Sequence, residues 1–525
     1  MIEKINQRLL LGCEFLEFTI KPIDITSGKN EVILNEDDAT KMGFKNGDRL
    51  KIRQSQLSTV GMIETTKTIV NEGEIGIYKD LLEKFPFELS TGVEVAAVGR
   101  PESFYFIKEK MKGKTLSKDK LYSIVADAVA GNLSNLELAA FILAEEFIGL
   151  DMEEIGYLTR AMAETGQMID FDETVYDKHS IGGVPGNKVT LLIVPIIASA
   201  GLLIPKTSSR AITSPAGTAD TFEVLADVKF TIDELKELAQ KVRGTIAWGG
   251  ALNLAPSDDI FIHRVEHGLG IDPLPQMMAS IFSKKLATGV DFLVLDIPTL
   301  TRYYERGAKV GSVDEANTLA RQFVELSDRI GIKTEAAITY GGQPVGHAIG
   351  PALEAREALQ ALEGFKPSAS LVEKSCALAG VLLEMSGKAV KGQGKQLAEE
   401  ILNSGKALSK MKEIIEAQGG NPAVKSQDVA VGNYKAELYS SCDGYIVRVD
   451  NSQIVKICNA AGTPRDKGAG ILLHAKVGYK VKEGDLLLEI YSNSESRLSK
   501  AHAIALKNNP IVCEGMLIER ISDLT

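Results

Sequence analysis

Two short stretches of this chain have the residue types and spacing to bind an anion. Lys178 to Lys188 reads KHSIGGVPGNK, and Lys206 to Thr221 reads KTSSRAITSPAGTADT. In the first, Gly182, Gly183 and Gly186 let backbone amides turn toward a ligand. The apolar run VTLLIVPIIASAG that follows predicts a helix whose N-terminus favours negative charge. Lys178 adds a cation to this loop, and Ser180 and Thr190 add hydroxyls. The motif is not a P-loop, which needs lysine directly after its last glycine; here Asn187 intervenes. In the second stretch Ser208, Ser209, Arg210, Thr213, Ser214 and Thr218 fall within eleven residues, behind the apolar strand candidate LLIP. Serine and threonine clusters are ordinary turn formers. In open α/β sheets, however, ligands gather at the carboxyl ends of strands, where two hydroxyl-rich loops could enclose one phosphate or two.

Other chemistry is poorly supported. Of six histidines, His263 and His267 stand four apart, without a third ligand at metal spacing. The five cysteines (Cys13, Cys376, Cys442, Cys458 and Cys513) contain no C-x-x-C pair and read as buried thiols. Neither a metal nor a disulfide framework is expected. A net charge of -11 argues against general affinity for nucleic acid or an anionic membrane. No apolar run approaches the roughly 18 residues of a spanning helix, and the N-terminus lacks the apolar core of a signal peptide. A cytoplasmic protein is expected.

The elements that must position these loops follow from periodicity. At 525 residues several domains are required. Residues 1–103 carry short β-like runs separated by Gly, Asn and Asp turns, and VILNEDDATKMGFKNGDRLKIR and IGIYKDLLEKFPFELSTGVEVAAV repeat a strand, helix, turn, strand plan. A pseudo-twofold barrel fits. From Leu116 the period becomes helical over three segments, with Ser117, Ser134 and Asp151 as N-caps and glycine at each end. Strand candidates ETVYDKHS, LLIPKTS, VDFLVLDI and KTEAAITY then alternate with helices, which predicts a parallel or mixed α/β sheet. Beyond about residue 430 strands return, and VGYKVKEGDLLLEI resembles a lipoyl-type hairpin. The expected division is an N-terminal β-rich domain (1–103), a helical domain (104–171 with 257–290), an α/β phosphate-binding domain (172–256 with 291–428) and a C-terminal β-rich α+β domain (429–525).

The segments DKHSIGGVPGNKV, SSRAITSPAGTAD, WGGALNLAPSDD, IDP followed by MMASIFSKK, and ITYGGQPVGHAIGPALEAREAL together resemble the thymidine phosphorylase family of nucleoside phosphorylases, most of all its AMP phosphorylase branch. The likeness runs in order over essentially the whole chain. It implies phosphorolysis of nucleoside 5'-monophosphates, with inorganic phosphate as co-substrate, no cofactor, and a homodimer or higher homo-oligomer. By resemblance, phosphate falls to Lys178, Ser180, Thr190, Ser208 and Thr218. The nucleotide falls to Gly183, Ser209, Arg210, Ala211, Ile212, Thr213, Ser214, Thr218, Ser280 and Lys309, with Lys284 as a further base contact. Asp272 matches the proton donor, and Leu269, Ile271 and Leu274 are expected to raise its pKa by enclosing it.

Departures from the nucleoside-specific pattern KHSTGGVGDK point the same way. Ile181 replaces threonine, Pro185 is inserted and Asn187 replaces aspartate, while the second loop gains hydroxyls. The pyrimidine-reading arginine of that branch has no clear equivalent, Arg264 being the nearest, and the insert Leu300 to Arg306 precedes Lys309. The main rival is a thymidine or pyrimidine nucleoside phosphorylase. A nucleotide-binding regulator without turnover is disfavoured, because Lys178, Ser180 and Asp272 are all kept.

Overall fold

The computed structural model describes residues 16–515 apart from 29, 212–213, 302–304, 306 and 366–368. Two compact units emerge, 1–165 with 255–280 and 166–254 with 281–525.

In the first unit, β1 (Leu16–Ile23), β2 (Glu31–Asn35), β3 (Arg49–Gln54), β4 (Leu57–Thr66), β5 (Glu74–Tyr78) and β6 (Val93–Val98) close into a barrel in the order β1-β5-β2-β4-β3-β6. Alternation sends Leu50 and Ile52 of β3 inward, where they meet Val32, Leu34, Ile75, Ile77, Val93 and Val95. The repeated plan is present: β2, the helix Glu36–Lys41 and β3 are echoed by β5, the helix Lys79–Lys84 and β6.

The three expected helices are Lys118–Ala130, Asn135–Phe147 and Met152–Glu164. Ser134 and Asp151 each form a capping box with the glutamate three residues on. Ser117 differs, since its side chain makes no cap hydrogen bond. A further helix, Glu102–Met111, escaped the sequence reading because its aromatic-rich segment ESFYFIKEKM falls where the β-like text ends. It is anchored by the buried Lys110, 2.7 Å from Glu154. His263 lies in a π-turn, Ile262–Glu266, and His267 follows it. Among the described residues no group of His, Cys, Asp and Glu is arranged to hold a metal.

The second unit is built on β7 (Tyr176–Ser180), β8 (Ile204–Ser208), β9 (Gly244–Trp248), β10 (Phe292–Thr299) and β11 (Lys333–Tyr340). β11, β10 and β7 are parallel, as are β8 and β9, and a parallel bridge from Val175 to Leu203 carries the sheet from β7 to β8. The apolar helix Thr190–Ser199 is buried almost throughout and packs against helices Ala369–Met385 and Lys406–Ala417.

Farther along, β13 (Tyr434–Tyr439), β15 (Gly470–Leu473) and β17 (Leu486–Ser492) pair in the order β12-β15-β17-β13, where β12 (Ala348–Ile349) comes from the middle of the chain. β14 (Gly444–Val449), β16 (Lys480–Val481) and β18 (Ile511–Glu514) form a second small sheet. Helices Asn451–Ala461 and Glu495–Asn508 pack together beside them. Cys376 and Cys458 are buried as expected, but Cys442 and Cys513 are only partly covered and lie against each other's carbonyls at 3.7 Å. Cys13 lies outside the described residues.

One lysine of the first stretch proves to be architecture. Lys188 is fully buried, donates to the carbonyls of Gly186, Val345 and Ala348, and pairs with Glu357 at 2.7 Å. Removing one partner of a buried ion pair strands the other charge and costs about 3–5 kcal/mol. Glu357→Ala should therefore lower the thermal unfolding midpoint by several degrees. A midpoint unchanged from that of the parent protein would mean the carbonyls alone satisfy Lys188.

Candidate active site

β7 carries three of the polar side chains, Asp177, Lys178 and, at its carboxyl end, Ser180. Lys178 is 4% exposed, and its ammonium lies 3.5 Å from the hydroxyl of Thr190, the first residue of the helix that follows the glycine loop. Two more buried lysines converge on Asp177. Lys206 of β8 reaches one carboxylate oxygen at 3.2 Å, and Lys285 of the helix Leu274–Ala287 reaches the other at 2.6 Å. A buried carboxylate and three buried lysines, on β7, β8 and this helix, leave positive charge in excess.

A second buried carboxylate lies beside them. Asp296 of β10 stands opposite Ser180 in the parallel register and is wholly buried. It accepts the hydroxyl of Ser180 at 2.6 Å, that of Thr339 at 2.5 Å and the amide of Asn187 at 3.4 Å, and it pairs with Lys374 at 3.0 Å. Four ammonium groups (Lys178, Lys206, Lys285 and Lys374) thus surround two carboxylates.

The electrostatics follow from burial. Desolvation would raise both carboxylates, but Lys206 and Lys285 at Asp177, and Lys374 and Lys178 at Asp296, outweigh it and hold both below the usual range. The lysines move the other way. Burial lowers Lys178 to about 8 against the opposing pull of Asp296, and lowers Lys206 to about 7 against that of Asp177. His179, desolvated and facing the same lysines, is pushed well below the ordinary histidine value.

The second loop is closed by its own ion pairs. The Arg210 guanidinium meets Asp220 at 3.0 Å and Glu223 at 2.8 Å and lies 4.8 Å from the ring centre of Trp248. Asp220 also accepts the backbone N–H of Ala211 at 2.7 Å and of Gly217 at 3.1 Å. Lys467, remote in sequence, reaches Asp220 at 3.3 Å and Glu223 at 2.9 Å. The hydrogen bonds from Arg210, with help from Lys467, hold the Glu223 carboxyl at about 2. Gly217 is required here, since a β-carbon would come within 2.6 Å of the Ser209 carbonyl oxygen. Thr218 then opens a short helix, Thr218–Phe222.

Of the residues expected at the site, Lys178 and Thr190 meet directly. Ser180 joins them through Asp296, whose charge acts on Lys178. Ser208 ends β8, and the Ser214 hydroxyl donates to the carbonyl of Ala216 at 3.2 Å. Gly183, at φ +109°, packs beside the Lys309 backbone: a β-carbon there would sit 3.3 Å from the Lys309 nitrogen. Ile212 and Thr213 lie outside the described residues. Lys284 adds its charge to those acting on His179.

In the first unit, Ser280 lies on the helix Leu274–Ala287, and Asp272 precedes the buried Pro273. The expected apolar enclosure of Asp272 is absent: Asp272 is exposed, and Leu269 and Leu274 are 51% and 37% exposed. These leucines fall where the chain turns between two helices and have no core to enter. Arg264 is partly buried, and the carboxylates acting on it are Asp80 and Glu31 of the barrel region. Sequence reasoning missed Asp177, Lys206, Lys285, Asp296 and Lys374, although Asp177, Lys206 and Lys285 lie within the quoted segments. A charged residue inside an otherwise apolar strand was the available signal.

Family models match residues 172–408 as a glycosyl transferase family a/b domain, 105–166 as the helical bundle domain of that family, and 445–512 as a pyrimidine nucleoside phosphorylase C-terminal domain. The chain is 50% identical over 506 residues to an AMP phosphorylase of Thermococcus kodakarensis, covering 96% of this chain and 99% of that one. It is 49% identical over 509 residues to an AMP phosphorylase of Methanocaldococcus jannaschii, covering 97% and 99%. The solved anthranilate phosphoribosyltransferase of Thermus thermophilus superposes with a TM-score of 0.50 at 19% identity over 59% of this chain and 98% of that one, a likeness of fold alone.

Lysines held near 7 to 8 take up protons when an anion arrives. Inorganic phosphate added at pH 7.5 should therefore draw protons from the buffer, seen as a dependence of the calorimetric heat on buffer ionisation. Its affinity should weaken as pH rises from 7 to 9 and Lys178 and Lys206 lose their charge. Lys178→Ala should weaken phosphate by about tenfold or more, the scale of one charge-assisted hydrogen bond, with the circular dichroism of the parent retained. Unchanged affinity would remove Lys178 from the anion site.

Proposed function

The chain belongs to the AMP phosphorylase family, and from that premise we propose that it cleaves AMP with inorganic phosphate to adenine and ribose 1,5-bisphosphate. A phosphate oxygen attacks C1' of the ribose as the bond from C1' to the base breaks. The base leaves with the bonding electron pair and gains a proton. The nucleophile is an anion, so a site for this reaction must concentrate negative charge and fix its orientation. The observation that carries the reading is the group of four lysines around Asp177 and Asp296, with the hydroxyls of Ser180 and Thr190 among them.

In this reading Lys178, Ser180, Thr190, Ser208 and Thr218 hold phosphate. Gly183, Ser209, Ala211, Ser214, Ser280 and Lys309 serve the nucleotide, with the Ser209 to Ser214 loop and Lys309 directed to its 5'-phosphate. Arg210 acts at one remove, since its guanidinium is engaged by Asp220 and Glu223 and sets the shape of the loop. Asp272 delivers the proton to the leaving base, and Lys284 supports extension of the reading to CMP and UMP. The enzyme is taken to be a cytoplasmic homo-oligomer without a resident cofactor. No helix among the described residues is long and apolar enough to cross a membrane.

Under saturating phosphate, AMP should release free base far faster than adenosine or thymidine, because donors built for a 5'-phosphate are left unpaired without it. Such discrimination reaches roughly 10⁴. Equal rates on adenosine or thymidine would replace this reading with that of a nucleoside phosphorylase.

Asp272→Asn should lower turnover by about 10² to 10⁴, the range for loss of a general acid, with little change in nucleotide affinity. Activity within a few-fold of the parent would leave Asp272 a turn residue.

A further inference from the structure

Ser180 carries a single hydroxyl proton, and Asp296 takes it. The oxygen-to-oxygen separation is 2.6 Å, and the carboxylate is wholly buried and held ionised by Lys374 at 3.0 Å. A serine hydroxyl has one donor and two lone pairs, so once its proton points at Asp296 the oxygen presents only lone pairs to a ligand. Asn187, in the same loop, repeats the arrangement. Its amide nitrogen is directed at Asp296 at 3.4 Å, an orientation fixed by a partner that can only accept. Its carbonyl oxygen is buried and has no hydrogen-bond partner among the described residues. Two acceptors therefore stand among cations that otherwise suit any anion.

Building on the phosphate reading above, we propose that Asp296 is a positioning residue that turns Ser180 and Asn187 into acceptors for the proton carried by inorganic phosphate. Phosphate near neutral pH bears at least one P–O–H group, which donates to the Ser180 oxygen. Its unprotonated oxygens face the lysines and supply the nucleophile. Sulfate has the same shape but no proton at this pH, and it leaves the acceptors unsatisfied against its own lone pairs. A site with buried polar groups made for a partner rejects the analogue that lacks it. The lysines supply affinity for anions as a class, and Asp296 chooses among them.

The test compares inorganic phosphate, arsenate and sulfate by calorimetry on the full-length protein at pH 7 and matched ionic strength. The parent should bind phosphate at least about tenfold more tightly than sulfate, a difference of one unsatisfied buried polar group, and arsenate, which keeps a proton, should follow phosphate. Ser180→Ala should weaken phosphate about tenfold and leave sulfate within twofold, because it removes an acceptor that sulfate never used. Asp296→Ala removes the acceptor, so it frees the Ser180 proton and leaves Lys374 uncompensated, and it should strengthen anions generally while the phosphate-to-sulfate ratio falls toward one. The ratio cancels the general change of charge. Equal binding of phosphate and sulfate by the parent, or equal weakening of both in Ser180→Ala, would overturn the proposal and make Ser180 an ordinary donor. Absence of phosphate binding to the parent would instead remove the phosphate reading beneath it.

Discussion

The cost of burying charge governs this structure. Four lysines and two aspartates lie on β7, β8 and β10 and on two helices, where water is largely excluded. An ammonium group in such a place loses hydration that only a nearby anion restores. Asp177 and Asp296 provide part of that anion, which is why both stay ionised despite full burial. They are too few for the cations around them, so burial prevails over their attraction and lowers Lys178 and Lys206. An incoming phosphate supplies the missing negative charge, so the ligand completes an electrostatic balance that the protein leaves open.

The rest of the second unit holds that arrangement in place. Parallel pairing of β7 with β10 sets Ser180 opposite Asp296, and the bridge from Val175 to Leu203 brings β8 alongside, so that Lys206 reaches Asp177. The buried helix Thr190–Ser199 fixes Thr190 beside Lys178. Around the second loop a different rule applies. Arg210, Asp220, Glu223 and Lys467 satisfy one another, so this loop is shaped by closed ion pairs. One loop is charge-complete and the other is charge-deficient, so the uncompensated positive charge gathers at the latter.

What could be read from the sequence was what is local. Helix periodicity located three helices of the first unit, and the alternation of β3 and the repeated plan around β2 and β5 anticipated the barrel. Lys178, Ser180 and Thr190 were visible because they share one stretch of chain with the glycines that turn it. The partners that give them meaning were hidden. Asp296 is 116 residues from Ser180, and Lys467 is 247 residues from Asp220. Register and topology choose such partners, and spacing along the chain carries little trace of them. Lys188 shows the same limit, since nothing in its stretch of chain announces that it holds the carbonyls of Gly186, Val345 and Ala348. Asp272 is a third case, because the apolar neighbours that ought to enclose it belong to a turn with no core behind it.

The central claim is that the charge-deficient lysine group holds an inorganic phosphate whose oxygen attacks C1'. It is tested most directly by following ¹⁸O-labelled phosphate during turnover of AMP. The account predicts that adenine appears only when phosphate is present, and that the sugar product carries at C1 a phosphate with all its labelled oxygens, since attack by a phosphate oxygen breaks no phosphorus bond. Adenine release without phosphate, with a water-derived oxygen at C1, would contradict it.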